Sequence, residues 1–552
     1  MEVTEIFTKK NIEILRLLSK ESLHIRDIAS KLDISPAKVH ATIQLFKKNN
    51  LIKETKEKNK IIISLNKDSS LLKLIQNLLE ADNNQVSFEP KINIFDTINP
   101  LDFRYYGRNE KAFQKLQPYL SENAMIKYMA RVESALTNTL AKKGICSKKI
   151  ADDIEKACKK VTAEEVYAEE DKLKHNVRAL VNCIRNKVND EAKPFIHFTA
   201  TSHDIISTAD ALRYKEFTDN ILVSKLVEFE KTLIDLALRE KDTLQVGRTH
   251  GQHAVPITFG FAVAQYVSRF GNSILKIKKT GNNLRGKIAG AVGSYNASSL
   301  FFKNPEEFEK EVLAELNLKA SPISTQIPEA EFIVDYVNSI IESFGVLANL
   351  SDDMRNLQRS EIAEVGEIFT SKQVGSSTMP QKRNPINFEN VKSLWKEFMP
   401  RAITVYMDQI SEHQRDLTNS ASSRFIPEIL AAFYLSVARL NKTMKSLQVD
   451  KENLKKNFDM NKGLIVAEPL YILLAAYNHP DAHETIKQLT LKAQSTKKPL
   501  QEITKKEKSL QQYLKKFNKE QLKIIKNPEN YVGIAGKKTE SVCQYWKKEL
   551  KI

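Results

Sequence analysis

Four stretches of this chain, at 220–240, 255–280, 333–360 and 425–447, repeat apolar residues at i, i+3, i+4 and i+7. That period lines one face of an α-helix, and a stripe this long must be buried against other helices. Breakers are scarce, with 16 glycines and 17 prolines in 552 residues, so few tight turns interrupt the pattern. From Pro100 onward the reading is helix upon helix to the end of the chain. The expected fold is mainly α, built on a bundle of long helices whose packing partners can come from other subunits.

The chain exceeds one ordinary domain, so two to four units are expected. Pattern and composition set off a small unit at 1–66 and a helical, then polar linker at 67–95; the remainder is read as helical domains at 96–205, 206–450 and 451–552. A content of 41% hydrophobic and 28% charged residues is ordinary for a soluble protein. Cys146, Cys158, Cys183 and Cys543 have no metal-type spacing and read as reduced thiols of a cytoplasmic protein. The first residues lack the apolar core of a secretion signal, and no apolar run reaches 18 residues, so no membrane span is expected. A net charge of +17 suits a nucleic-acid partner or an anionic substrate in a basic cleft, but also a merely lysine-rich surface such as Lys497–Lys551. Charge alone does not choose.

In residues 1–66, Ile12, Ile14, Leu15, Leu17 and Leu18 mark one amphipathic helix, and Ile25, Ile28, Ala29 and Leu32 a second. Asp33-Ile34 turns the chain into Ser35, an N-cap residue followed by Pro36 at the first helical position. Val39, Ile43 and Phe46 face inward on the third helix, and a strand-like run, Ile61–Leu65, follows a polar turn at Lys56–Lys60. The order resembles a winged helix-turn-helix module. It holds 13 Lys and Arg against 8 Asp and Glu. Lys38, His40 and Gln44 are its candidate DNA contacts, with a protein-docking role as the alternative.

The chemistry is concentrated in a few segments. Val374–Pro385 places Gly375, Ser376 and Ser377 ahead of Met379-Pro380 and then Lys382 and Asn384. Glycine and serine resist helix, which predicts a mobile loop with two hydroxyls, then an ammonium and an amide on a proline-stiffened frame. Such a set suits a substrate rich in carboxylates. Arg104 beside Tyr105 offers fork donors and a phenol to a phosphate. Thr201-Ser202 opens a helix, where hydroxyls and backbone N–H groups favour an anion, although a plain N-cap has the same sequence. His250 lies between Thr249 and Gly251, accessible rather than packed on a helix, with His253 as its competitor. Arg415 and Arg424 bracket Ser420, an arrangement suited to phosphate, unless both are simply surface arginines.

The Val374–Pro385 run closely resembles the signature loop of the fumarase/aspartase superfamily, here within 372–390. Its Lys-Arg-Asn-Pro ending, the Pro100-to-Tyr105 start and the 415–424 cluster resemble the adenylosuccinate lyase family within it. The resemblance implies an elimination that releases fumarate, from adenylosuccinate and from the succinylaminoimidazole carboxamide ribotide (SAICAR). It implies Ser377 as base, His250 as acid polarised by Glu389, and His175 in the active site near the phosphate. It places Thr201, Ser202, Gln326, Lys382 and Asn384 on the succinyl carboxylates, and Arg104, Tyr105, Arg415, Ser420 and Arg424 on phosphate. Lys174, His197, Thr249 and Ser376 complete the implied substrate contacts. A homotetramer with sites shared by three subunits is implied, with no cofactor and no metal. Three positions depart from the family pattern: Asn176 replaces an aspartate, Thr199 a glycine, and Ala330 lies where an Arg-Asp pair is usual. Two rivals remain. One is another member of the superfamily, an argininosuccinate lyase or a carboxymuconate cycloisomerase; the other is a DNA-binding regulator built on a lyase scaffold.

Overall fold

Contacts divide the chain into two units, residues 1–96 and 97–552. The computed structural model describes residues 8–57, 60–72, 97–368 and 378–552. Most of the 67–95 linker lies outside them.

In the first unit, α1 (Lys9–Lys20) is capped by the Thr8 hydroxyl, which accepts from Asn11 N. A short strand, β1 (Leu23–His24), precedes α2 (Ile25–Leu32), which stops where Asp33 takes a left-handed φ of 50°. Ser35 then caps α3 (Pro36–Lys48), with Pro36 in its first turn. The chain returns through β2 (Ile52–Glu57) and β3 (Lys60–Leu65), which pair antiparallel, and β1 adds to the far side of β3. The strand β1 was not expected from the sequence, because two residues carry no periodicity to read. Ile14, Leu18, Ile28, Val39, Ile43, Phe46 and Ile63 form the core. Lys38, His40 and Gln44 are exposed on α3.

The second unit is mainly helical, as the apolar period requires. The four stretches correspond to α6 (Val223–Arg239), α7 (Phe259–Gly281), α8 (Glu331–Leu357) and α10 (Ile426–Lys445). Ahead of them are α4 (Glu122–Lys142) and α5 (Ser202–Phe217); α9 (Ile386–Phe398) lies between α8 and α10, and α11 (Lys451–Ile465) follows. α6 packs on α7 and α10, α8 on α7 and α9, and the last helix, α12 (Ala535–Leu550), on α6 and α7. Phe229, Phe270, Phe344 and Phe433 fill the centre, edge on face in two pairs. Gly271 admits the Trp546 indole of α12, whose ring atoms stand 2.4 Å from where a Cβ would be; a larger residue there would push the helices apart. Residues 466–517 hold a smaller core around Leu470, Leu474 and Leu500.

One expectation needs correction. The 255–280 stretch is helical only from Phe259; before it the chain forms an antiparallel hairpin of β4 (Leu244–Thr249) and β5 (Gln252–Thr258). Pro256 and the β-branched Val255 and Ile257 oppose helix, and the Thr258 hydroxyl caps α7 by accepting from Phe261 N. No helix among the described residues is long and apolar enough to cross a membrane. All four cysteines are free and buried.

Candidate active site

The hairpin presents His250. Thr249 pairs with Gln252, so His250 and Gly251 alone form the turn, with φ of 54° and 73°. Two left-handed residues in a two-residue loop give the type I′ geometry that matches strand twist. The imidazole is thereby exposed at a rigid tip, and Thr249 is exposed beside it. Beneath it, Arg248 forms a two-point ion pair with fully buried Glu364, at 2.6 and 3.2 Å, and Gln245 and Asn457 donate to the same carboxylate. The competitor His253 sits lower on β5, its ring nitrogen 3.2 Å from the Asn461 amide. Burial, then the Arg248 charge, hold its pKa below the usual histidine value.

A second group gathers at the start of α5. Thr201 caps the helix in a box with Asp204, whose carboxylate accepts from Thr201 N at 2.9 Å. Asp204 is fully buried, ion-paired to the equally buried Lys287, and accepts from Ala289 N and Gly290 N. These bonds fix the Gly290–Gly293 turn against the helix start. Gly293 has a φ of 78°, and a Cβ there would lie 1.9 Å from Ser324 O, so only glycine lets the 324–326 segment approach. Gln326 N then donates to Gln414 O, which carries Arg415 into the group. Arg415 holds a φ of 121°, and its Nε and Nη2 are buried with no hydrogen-bond partner among the described residues. An arginine fork left unsatisfied is costly unless an anion completes it. His203, facing Lys287 and Arg415, is pushed down to about 4, by burial first and then by those charges, so it stays neutral. Thr201, Ser202, Gln326 and Arg415 are thus brought together.

His197 is placed differently. Its ring lies 2.7 Å from the fully buried Glu133, which also accepts from His197 N, and its φ of 61° is left-handed. His175 caps the helix Asn176–Arg185 by accepting from Arg178 N, and it and Lys174 are exposed. Ser420 and Arg424 are exposed just ahead of α10.

Arg104 and Tyr105 lie on the turn Leu101–Tyr106 and line a cavity of about 680 Å3 with Arg108, Glu367, Asn387, Arg439 and Lys442. Tyr105 Oη accepts from Asn390 at 3.0 Å. The cavity lies beside the later turns of α10, whereas Arg415, Ser420 and Arg424 precede that helix. Fifteen residues separate Arg424 from Arg439, roughly 22 Å along a helix, so one chain does not merge the two arginine clusters. Lys382, Asn384 and Glu389 border a second space of about 690 Å3 with Arg355 and Arg359. Among the described residues neither cavity is lined by the hairpin, so Glu389 and His250 do not meet in either of them within a chain. Ser376 and Ser377 lie outside the described residues.

Two features were missed in the sequence. Glu367 and Asn387 form a clasp: Asn387 N and Nδ2 donate to Glu367 at 3.0 and 2.6 Å, and Phe388 N donates at 3.1 Å. Arg439 and Lys442 project from α10 into the first cavity. A cation inside the apolar stripe 429–440 was the available signal.

Residues 103–397 match the lyase family and residues 411–532 the adenylosuccinate lyase C-terminal family. The adenylosuccinate lyase of Archaeoglobus fulgidus is 35% identical over 460 residues, which is 82% of this chain and 100% of that protein. That of Pyrococcus abyssi is 35% identical over 454 residues, 81% and 98% of the two chains. Among solved structures, the 3-carboxy-cis,cis-muconate lactonizing enzyme of Pseudomonas putida superposes with a TM-score of 0.70 at 22% identity. It covers 82% of this chain and 100% of that one, a likeness of fold alone.

Proposed function

The chain belongs to the adenylosuccinate lyase family, and from that membership we infer that it eliminates fumarate from adenylosuccinate, giving AMP, and from SAICAR, giving AICAR. It is an enzyme, a carbon–nitrogen lyase. The observation that carries the nucleotide substrate is the arginine arrangement, above all Arg415 with its unsatisfied buried fork and the cation-lined cavity at Arg104. The argininosuccinate and carboxymuconate alternatives offer these cations carboxylates only, and no phosphate dianion.

The reaction needs a base and an acid on opposite faces of the succinyl group. Ser377 removes a proton from the methylene carbon β to the nitrogen, which bears one of the two carboxylates. The electron pair passes into that carboxylate, which Lys382, Asn384, Thr201, Ser202 and Gln326 hold by hydrogen bonds strengthened as charge develops. The pair then returns to form the double bond of fumarate, the C–N bond breaks, and His250 protonates the departing nitrogen. Serine is a weak base and relies on this stabilised carbanion. His250 stands on a separate element from Lys382 and Glu389, which favours a site completed by other copies of the chain, a homotetramer in our reading. The test is the absorbance change with each purine substrate on purified protein, against argininosuccinate. Turnover of both purine substrates and not the third is expected, and failure on both defeats the assignment.

For residues 1–66 the reading is a winged helix-turn-helix that contacts DNA. Support comes from the αL turn at Asp33 between α2 and α3, the strand order β1-β3-β2, and the exposed Lys38, His40 and Gln44. Duplex binding should weaken steeply as salt rises and vanish when 1–66 is deleted. A full-length protein that ignores duplex DNA at 50 mM salt would leave a protein-docking role.

A further inference from the structure

We propose that Arg439 and Lys442 of α10 form, with Arg104, a subsite for the anionic phosphate end of the substrate. This rests on the nucleotide reading above and adds two residues that no motif assigned. Among the described residues four cations, Arg104, Arg108, Arg439 and Lys442, line the cavity of about 680 Å3, with Glu367 as the one carboxylate. Glu367 is already committed, accepting three hydrogen bonds from Asn387 and Phe388. Among the described residues none of the four cations forms an ion pair.

Arg439 is the informative member. It is partly buried, and burial pulls its guanidinium below the usual arginine range. Glu367 is the one carboxylate among the described lining residues that offsets its charge, so four cations leave the cavity with excess positive charge until an anion enters. The orientation of Arg439 is nevertheless fixed, because Nη1 donates to Asn387 Oδ1 at 2.9 Å, and Asn387 is held in turn by Glu367. Lys442 follows at i+3, on the same face of the helix. A planar fork aimed from a rigid helix, with a flexible ammonium beside it, matches the oxygens of a phosphate dianion. A succinyl carboxylate offers similar oxygens, so the ligand chemistry is an oxyanion from one of two ends of the substrate.

The experiment separates the ends. Steady-state kinetics with adenylosuccinate, and inhibition by AMP, inorganic phosphate and fumarate, are measured for wild type, Arg439→Met, Arg439→Lys and Lys442→Met. The expected result for Arg439→Met is a rise of about tenfold in KM and in the inhibition constants of AMP and phosphate, with kcat within about threefold. Arg439→Lys should recover part of this. Lys442→Met, at an exposed position that does not risk the fold, should show a smaller shift in the same direction. Unchanged AMP and phosphate inhibition in both methionine variants overturns the proposal, as does a shift confined to fumarate. If wild type does not turn over adenylosuccinate, the nucleotide reading has failed instead. Calorimetric titration with inorganic phosphate then tests the subsite alone: weaker binding to Arg439→Met supports it, and equal binding overturns it.

Discussion

Replacing His250 by asparagine should lower fumarate release by about 10²–10⁴-fold, the usual worth of a positioned general acid, while leaving the fold intact. Asparagine is the informative replacement. Position 250 holds a φ of 54° as the first residue of a two-residue turn, followed by Gly251. Asn-Gly is the favoured pair for that turn, so the variant hairpin keeps its geometry, whereas alanine would strain it. Nor should the ring's removal open a cavity, because it projects from an exposed tip whose base is secured by Arg248 and Glu364. Ser377→Ala should show a loss of the same order through the opposite face of the substrate. His253→Asn should retain most activity, since burial and Arg248 disfavour the charged imidazole that an acid needs. Absorbance assays beside thermal melts check all three. An active His250→Asn enzyme, with His253→Asn inactive instead, would transfer the acid role to position 253.

The periodicity of 220–240, 333–360 and 425–447 sufficed to read the helical bundle, because those faces are buried over their whole length and burial dictates the spacing of apolar residues. It failed at 255–258, where four residues of strand precede a helix with the same apolar content and only Pro256 and the β-branched neighbours gave notice. The Thr-His-Gly triplet implied an accessible histidine, but not that both turn residues would be left-handed, a property of strand register rather than of composition. What the sequence could not supply is grouping. Asp204 and Lys287 are 83 residues apart and meet in a fully buried ion pair. Gln326 and Arg415 come together through one backbone bond between segments that carry no shared pattern. Arg439 is one cation among 85 by composition, and only the cavity at Arg104 gives it a reason.

Glu230→Leu should make the protein more stable, and increasingly so as pH rises. Glu230 lies on α6, fully buried, and neither carboxyl oxygen has a partner among the described residues. Burial alone pushes its pKa up to about 9 from an ordinary 4.5, so at neutral pH the group sits in the bundle as the uncharged acid. The sign of the linkage follows. Below pH 4.5 folded and unfolded chains both hold the proton, and the group costs nothing through titration. Between 4.5 and 9 the unfolded chain releases a proton that the fold retains, so stability falls with rising pH, by about 3 kcal/mol at pH 7. Cys543 of α12 lies within the influence of the same carboxyl, and burial, then Glu230, push that thiol up to about 11. Leucine abolishes the titration and fills similar space with apolar atoms. Glutamine abolishes the titration too but keeps a polar group to satisfy, so its absolute stability should be lower than that of leucine. Thermal midpoints of the three proteins at pH 5.5 and 8.5 make the comparison. Both variants should gain on wild type between the two pH values, and by similar amounts. An interval that stays constant for both would mean the carboxyl ionises in the fold as it does in water, through a partner or water path that relieves its burial.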